Sequence, residues 1–426
     1  MNQIHRDTPP PSEPISHIDF LPIKKIKLPN GLTVHLVEGG SQEVTKIDLI
    51  FPAGSVQAAQ PLLASTTNKL LSEGTSSLTS EQISEKMDFF GAYLGQQTNY
   101  HHAVVSLFTL SKHLEPTCEL LSQIIKDPVF PQHELDLYLD KRKQEYEIEG
   151  QKVKTMATRK FTTTLYGKEH PYGNHLKPEH FSNITREDLI KFHKKVYIPK
   201  GSHMIISGQP GAQLESILSK YFSDTWQPGK YSDHFTAFAL PDTPLTVFEK
   251  KENAVQSAIK IGRPLFTKNH PDYLPIQILN TILGGYFGSR LMTNLREEKG
   301  LTYGISSYIM SFKHSGFWVI GTEVKGEDRE TAVKEIFHEI NRLKTELVSA
   351  EELSLIKNYM LGDLTRNFDG PFSLADNYRS LLDFSLDMRF FQEFFDTIRH
   401  ITAEELLNLA DKYLKEEDFV TIIAGK

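Results

Sequence analysis

The chain has 426 residues, 39 % of them hydrophobic and 24 % charged, with 47 basic residues against 54 acidic and a formal net charge of −7. That length accommodates two or three domains with sizeable cores. The charge and aromatic content exclude wholesale disorder, and the acidic balance gives no global reason to bind nucleic acid. The single cysteine, Cys118, excludes an intramolecular disulfide framework and a cysteine-rich zinc module. No run approaches the ~18 apolar residues of a membrane-spanning helix, so no membrane partner is expected. The polar start, with no basic stretch followed by an apolar one, lacks the pattern of a signal peptide, and a cytoplasmic location is expected.

Pro9, Pro10, Pro11 and Pro14 predict a flexible arm over residues 1–20. IKKIKLPNGLTVHLVEG then places Asn30-Gly31 between two alternating segments, a hairpin signal. Val44, Ile47, Leu49 and Phe51 read as a further strand. Residues 59–73 predict a helix with Pro61 in its first turn and Gly74 past its end. Residues 80–94 predict another, with Ile83, Met87 and Phe90 on one face. AVVSLFTL at 103–110 reads as a buried strand, and longer helices are predicted over 114–125 and 132–165.

ITREDLIKFHKKVYIPKGSHMIISG from Ile184 and ITAEELLNLADKYLKEEDFVTIIAG from Ile401 align without gaps, at one constant offset that is close to half the chain. Each starts with a threonine before an acidic first turn, runs as an amphipathic helix and ends in an apolar strand closed by glycine. An offset of half the chain predicts an internal duplication, with repeats over 21–226 and 231–426 joined near Gln227-Pro228-Gly229-Lys230. Strands and helices alternate and some neighbouring strands are hairpin-linked. That pattern predicts an α+β fold of two repeats, each a mostly antiparallel mixed sheet covered by helices.

Three segments, taken in order, resemble the M16, or pitrilysin-like, family of inverted-motif zinc peptidases. They are LPNGLTVHLVE with the following strand, AGSV and a helix ending in SEGT; YGKEHPYGNHLKPEHFSNITREDLIKFHKKVYIP with MIISG; and LNTILGGYFGSRLMTNLREEKGLTYGISSYI at 279–309. The resemblance implies the two-repeat fold and the short-chain (M16B-type) branch, in which two such chains close into a clamshell. The family's His-x-x-Glu-His places two histidines one turn apart for zinc and a glutamate as general base. Registering on Glu73-Gly74-Thr75 puts Ser65 and Lys69 at the histidine positions and Asn68 at the glutamate position. Glu145 falls at the position of the family's last ligand, with Glu147 and Glu149 nearby. No metal site is therefore expected in this chain, and zinc is expected in a partner subunit.

The resemblance also places Arg296 and Tyr303 at the spacing of the family's substrate-facing pair. A fixed cation and a neutral phenol donor suit charge developing on a carbonyl oxygen. Gly284, Gly285 and Gly288 precede them and permit close backbone approach to a ligand. Without the resemblance Arg296 would read as a surface charge and Tyr303 as core. His101 and His102, adjacent in a strand, would point to opposite faces and not share a metal. His170, His175 and His180 look ligand-rich, but in the family that stretch is structural. Lys69 reads either as a solvated residue or as a cation paired with Glu145 in the metal's place. The resemblance implies a non-catalytic subunit that contributes Arg296 and Tyr303 to the active site of a His-x-x-Glu-His chain acting on peptides. The alternative is an inactive peptide-binding or scaffold homologue acting as a homodimer.

Overall fold

The computed structural model describes residues 15–224, 226, 229 and 245–426. Its first half contains β1 (Ile23–Lys27), β2 (Thr33–Glu38), β3 (Val44–Phe51), β4 (Tyr93–Thr98), β5 (Ala103–Leu110) and β6 (His203–Gly208). Its helices are α1 (Leu63–Lys69), α2 (Ser80–Phe89), α3 (Leu114–Lys126), α4 (Gln132–Gly150), α5 (Val153–Tyr166), α6 (Arg186–Val196) and α7 (Leu214–Leu218). The second half contains β7 (Leu245–Lys250), β8 (Gln256–Leu265), β9 (Ile305–Ser311), β10 (Gly316–Lys325) and β11 (Val420–Gly425). Its helices are α8 (Tyr273–Asn280), α9 (Arg329–Thr345), α10 (Ala350–Arg366), α11 (Gly370–Arg379), α12 (Arg389–His400) and α13 (Ala403–Tyr413).

The sheets run β1-β2-β6-β3-β5-β4 and β7-β11-β8-β10-β9, an α+β architecture. Each has one parallel pair, β2 with β6 and β7 with β11, in otherwise antiparallel order. The second sheet therefore repeats the first, β1 excepted. The Asn-Gly turn forms, with Gly31 at φ +93° and β1 paired antiparallel to β2. The two aligned segments adopt the same elements in the same order. Thr185 and Thr402 each cap a helix in a reciprocal box with Asp188 and Glu405, and β6 and β11 begin at the aligned positions His203 and Val420. Each cap is worth about 1 kcal/mol. The proposed joint at 227–230 lies outside the described residues except for Gly229.

Both faces of the sheets are apolar. In β3, Ile47, Leu49 and Phe51 face the first core while Ile50 packs in a separate cluster on the opposite face. That second face is covered by α11, through Leu374 and Ala375 against Val37, Ile50 and Ile205. Reciprocally, Ala157, Phe161 and Leu165 of α5 cover Ala258, Val420, Ile422 and Ala424 of the second sheet. Each half thus lends a helix to the other.

Four predicted elements differ. The helix expected over 59–73 is shorter, because Leu62 takes a left-handed conformation (φ 71°) and the end tightens into a 3₁₀ turn at Leu70–Ser72. The helix expected to 94 stops at Phe89, and after the Gly91 turn β4 begins. The helix expected over 132–165 breaks at 151–152, which frees α5 to cross to the other sheet. The arm is packed from residue 15 onward. Ile15, Ile18 and Phe20 lie against the second core, with Phe20 edge-on to Phe368 at 4.8 Å between ring centroids. Phe161→Ala should lower unfolding stability by about 3–5 kcal/mol in urea titration, because the crossing helix loses a large, fully buried side chain. A loss below about 1 kcal/mol would refute the crossing helix as a principal tie between the halves.

Candidate functional site

The positions aligned with the zinc motif lie on α1. The Ser65 hydroxyl donates to the Leu62 carbonyl at 3.1 Å. Asn68 is buried, and its amide donates to the carbonyls of Gln97 (2.9 Å) and Val104 (3.4 Å) while accepting from the Tyr197 phenol at 3.2 Å. The side chain at the general-base position therefore clamps α1 to β4 and β5. Lys69 is exposed, and its charge lowers the otherwise burial-raised pKa of Glu73. Glu145, half-buried on α4, pairs with Arg142 at 2.5 Å. The buried ion pair between Lys69 and Glu145 weighed above is therefore corrected, since helix geometry gives Glu145 a nearer cation one turn away. Burial raises the Tyr138 phenol, which also feels Arg142, Glu145 and the Ser65 hydroxyl, so Glu145 is on the face of α4 toward α1. Glu147 is exposed and Glu149 pairs with Lys152.

Zinc requires deprotonated donors converging on one point. A hydroxyl, a fully engaged amide, an ammonium and a carboxylate held by a guanidinium do not fit it. Among the described residues no group of three or more His, Cys, Asp or Glu is placed to hold a metal.

Arg296 and Tyr303 are both at the surface but not in contact. The Arg296 guanidinium sits over the Phe287 ring at 4.6 Å, and that ring is itself 62 % exposed. Tyr303 is 93 % exposed and lines a cavity of about 440 Å³ together with Lys154, Lys260 and Tyr308. Among the described residues no hydrogen bond or ring contact joins the pair. The glycines are explained by packing. A Cβ on Gly284 would lie 2.7 Å from Cβ of Ser307, so this residue lets the chain press against β9, and one on Gly285 would crowd Asn280 and Thr281. This close backbone contact accounts for both glycines by packing, without reference to a ligand.

His101 and His102 sit in the turn between β4 and β5 and diverge, His101 bonding the Tyr172 phenol at 2.6 Å and His102 the Asp383 carboxylate at 2.5 Å. His170, His175 and His180 go separately to the Tyr172 amide, the Thr162 hydroxyl and the Lys177 amide. His35 bonds both His203 and Tyr378 at 3.0 Å, joining the first sheet to α11. Apart from Tyr303, the cavity lining was missed by sequence reasoning. Its one legible signal is Lys260 amid the apolar alternation of SAIKIG.

The family model described as Insulinase (Peptidase family M16) matches residues 34–179, and the one described as Peptidase M16 inactive domain matches 183–360. An uncharacterized zinc protease of Rickettsia felis is 24 % identical over 405 residues, spanning 91 % of this chain and 93 % of that protein. A crystal structure of a peptidase M16 inactive domain from Pseudomonas fluorescens superposes with TM-score 0.86 at 24 % identity, over 95 % of this chain and 98 % of that one. The periplasmic protease PqqL of Escherichia coli superposes with TM-score 0.77 at 16 % identity, over 96 % of this chain but 46 % of its own.

Two measurements follow from these contacts. Asn68→Ala should lower stability by about 1–3 kcal/mol, since it strands two strand carbonyls and the Tyr197 phenol, and a neutral result in urea titration would refute the clamp. Burial pushes His35 down to about 3 and His101, His193 and His203 to about 4. An unfolded histidine titrates near about 6.5. The unfolded chain therefore takes up protons first, and the histidine contribution to stability, complete above about pH 6.5, is lost as pH falls toward about 4. Urea midpoints should decline steadily from about pH 7 to about pH 4.5, and a flat profile would contradict the burial of these rings.

Proposed function

The chain belongs to the peptidase M16 family, and from that premise we propose that it is the non-catalytic subunit of a heterodimeric peptidase. Its partner would be a chain of similar length carrying His-x-x-Glu-His and the zinc. Arg296 and Tyr303 would face that partner's active site and act on bound peptide. The observation that carries the reading is Tyr303, an aromatic side chain 93 % exposed at a cavity, where it contributes little to folding. Its phenol is free to donate a hydrogen bond to a peptide carbonyl. The Arg296 guanidinium, braced by the Phe287 ring, supplies a fixed positive charge as the carbonyl oxygen becomes negative.

The positions aligned with the zinc motif support the same division of labour, because Asn68 is engaged in holding α1 in place. In the complex with its zinc-bearing partner, Arg296→Ala or Tyr303→Phe should lower kcat roughly a hundredfold while co-purification of the two chains is unchanged. Full turnover by both variants would refute the role. Recovery of the native protein as a homodimer with no zinc-bearing chain would favour the scaffold alternative.

A further inference from the structure

Lys260 on β8 is 8 % exposed, and its side chain lies on the face of the sheet opposite Ile259 and Ile261. It is paired in register with Gly321 of β10, which is paired with Ser306 of β9. A Cβ at Gly321 would lie 2.6 Å from the lysine Nζ, so the glycine is what makes room for the ammonium to cross the sheet. Among the described residues Lys260 makes no hydrogen bond and no ion pair. Its ammonium lies over the Tyr308 ring, with Nζ 5.5 Å from the centroid. Burial and the neighbouring charge of Lys154 lower its pKa, and Glu323 offsets this in part without forming a pair.

The duplication shows what is missing. In register, Lys260 pairs with Ile422 of β11 as Asp48 pairs with Ile205 of β6, and those two isoleucines occupy aligned positions of the repeat. Asp48, fully buried, has Lys46 at 3.1 Å and Arg379 of the crossing helix α11 at 3.8 Å. The crossing helix over Lys260 is α5, VKTMATRKFTTTLY, which contains no acidic residue. It adds Lys154 to the cavity instead, from a first turn with no side-chain cap. A buried ammonium held without a counter-ion is costly to the fold. Here it opens into the same cavity of about 440 Å³ that Tyr303 and Ser306 line, and the Glu323 carboxylate, which also lines it, forms no ion pair with Lys260.

We propose that this cavity is a carboxylate subsite, in which Lys260, aided by Lys154, takes the terminal or side-chain carboxylate of a bound peptide. This rests on the reading of the chain as a peptide-binding subunit. The ligand would supply the negative charge that α5 lacks, placing a neighbouring peptide carbonyl within reach of the Tyr303 phenol. Because every lining group belongs to this chain, the isolated full-length protein binds.

Isothermal titration calorimetry with the full chain tests it, using four probes. They are an N-acetylated pentapeptide with a free C-terminal acid, its C-terminal amide containing one Glu, the same amide with Gln for Glu, and sodium acetate. At least one of the two acids should bind about tenfold or more tightly than the Gln amide, and which one does so identifies the source of the carboxylate. Lys260→Met should abolish that preference and leave the Gln amide unaffected. It should unfold at the same or higher urea concentration, since it removes an unpaired buried charge. Lys154→Gln, an exposed substitution, should reduce the preference severalfold and serves should Lys260→Met not fold. Equal binding of acids and Gln amide would overturn the subsite and leave peptide binding standing. No binding of any peptide would overturn both. Acetate binding as tightly as the acid peptides would overturn the peptide assignment in favour of a small-anion site.

Discussion

The structure depends on the need to cover both faces of two sheets whose strands are apolar on both sides. A strand such as β3 places Ile47, Leu49 and Phe51 on one face and Ile50 on the other, so a single helical layer leaves apolar area in water. The chain meets this by exchange, α5 covering the second sheet and α11 the first. These helices begin at Val153 and Gly370, the same offset that separates Ile184 from Ile401, so the exchange is itself a product of the duplication. It ties the two halves into one unit and fixes the surface bearing Tyr303 relative to α1.

The exchanged helices also decide the fate of buried charge. α11 carries Asp376 and Arg379 to Lys46 and Asp48, and the cluster is largely neutralised, with Lys46 to Asp376 at 2.7 Å. The charged residues of α5 are all basic, and Lys260 beneath it is left with the face of Tyr308. One architectural device gives a closed ionic cluster in one half and, in the other, an open cavity lined by Lys154, Lys260 and Glu323 in which Lys260 has no ion-pair partner among the described residues.

The fold was legible because its signals are local or periodic. The Asn30-Gly31 turn needs only positive φ at Gly31, the threonine caps need only their own first turns, and the repeat shows as a fixed offset. What was not legible depends on partners distant in sequence. The break at 151–152 follows Gly150, a helix-weakening residue that the sequence did display, but the direction α5 takes after it depends on the other sheet. The packing of Ile15, Ile18 and Phe20 depends on a core built from the far half of the chain. The packing requirement at Gly284 was not legible, because Ser307 lies on a strand that the sequence does not mark as its neighbour. Lys260 was visible as a cation within an apolar run, but its lack of a counter-ion is a property of α5 and could be seen only once the two were packed together.

The positions aligned with the zinc motif are likewise taken up by packing. A lost ligand set can persist as a vacancy when the surrounding groups remain unengaged. Here they are engaged. The Asn68 amide bridges two strands and Tyr197, and the Glu145 carboxylate is held by Arg142. Restoring histidines at 65 and 69 and glutamate at 68 would place a carboxylate against the carbonyls of Gln97 and Val104, where acceptor would meet acceptor. It would also leave Arg142 competing with a metal for Glu145. The departure is therefore built into the packing of α1 as well as into three side chains. On the proposed reading, the groups left open to a ligand are those of the second half, where Tyr303 remains exposed and Lys260 has no ion-pair partner among the described residues.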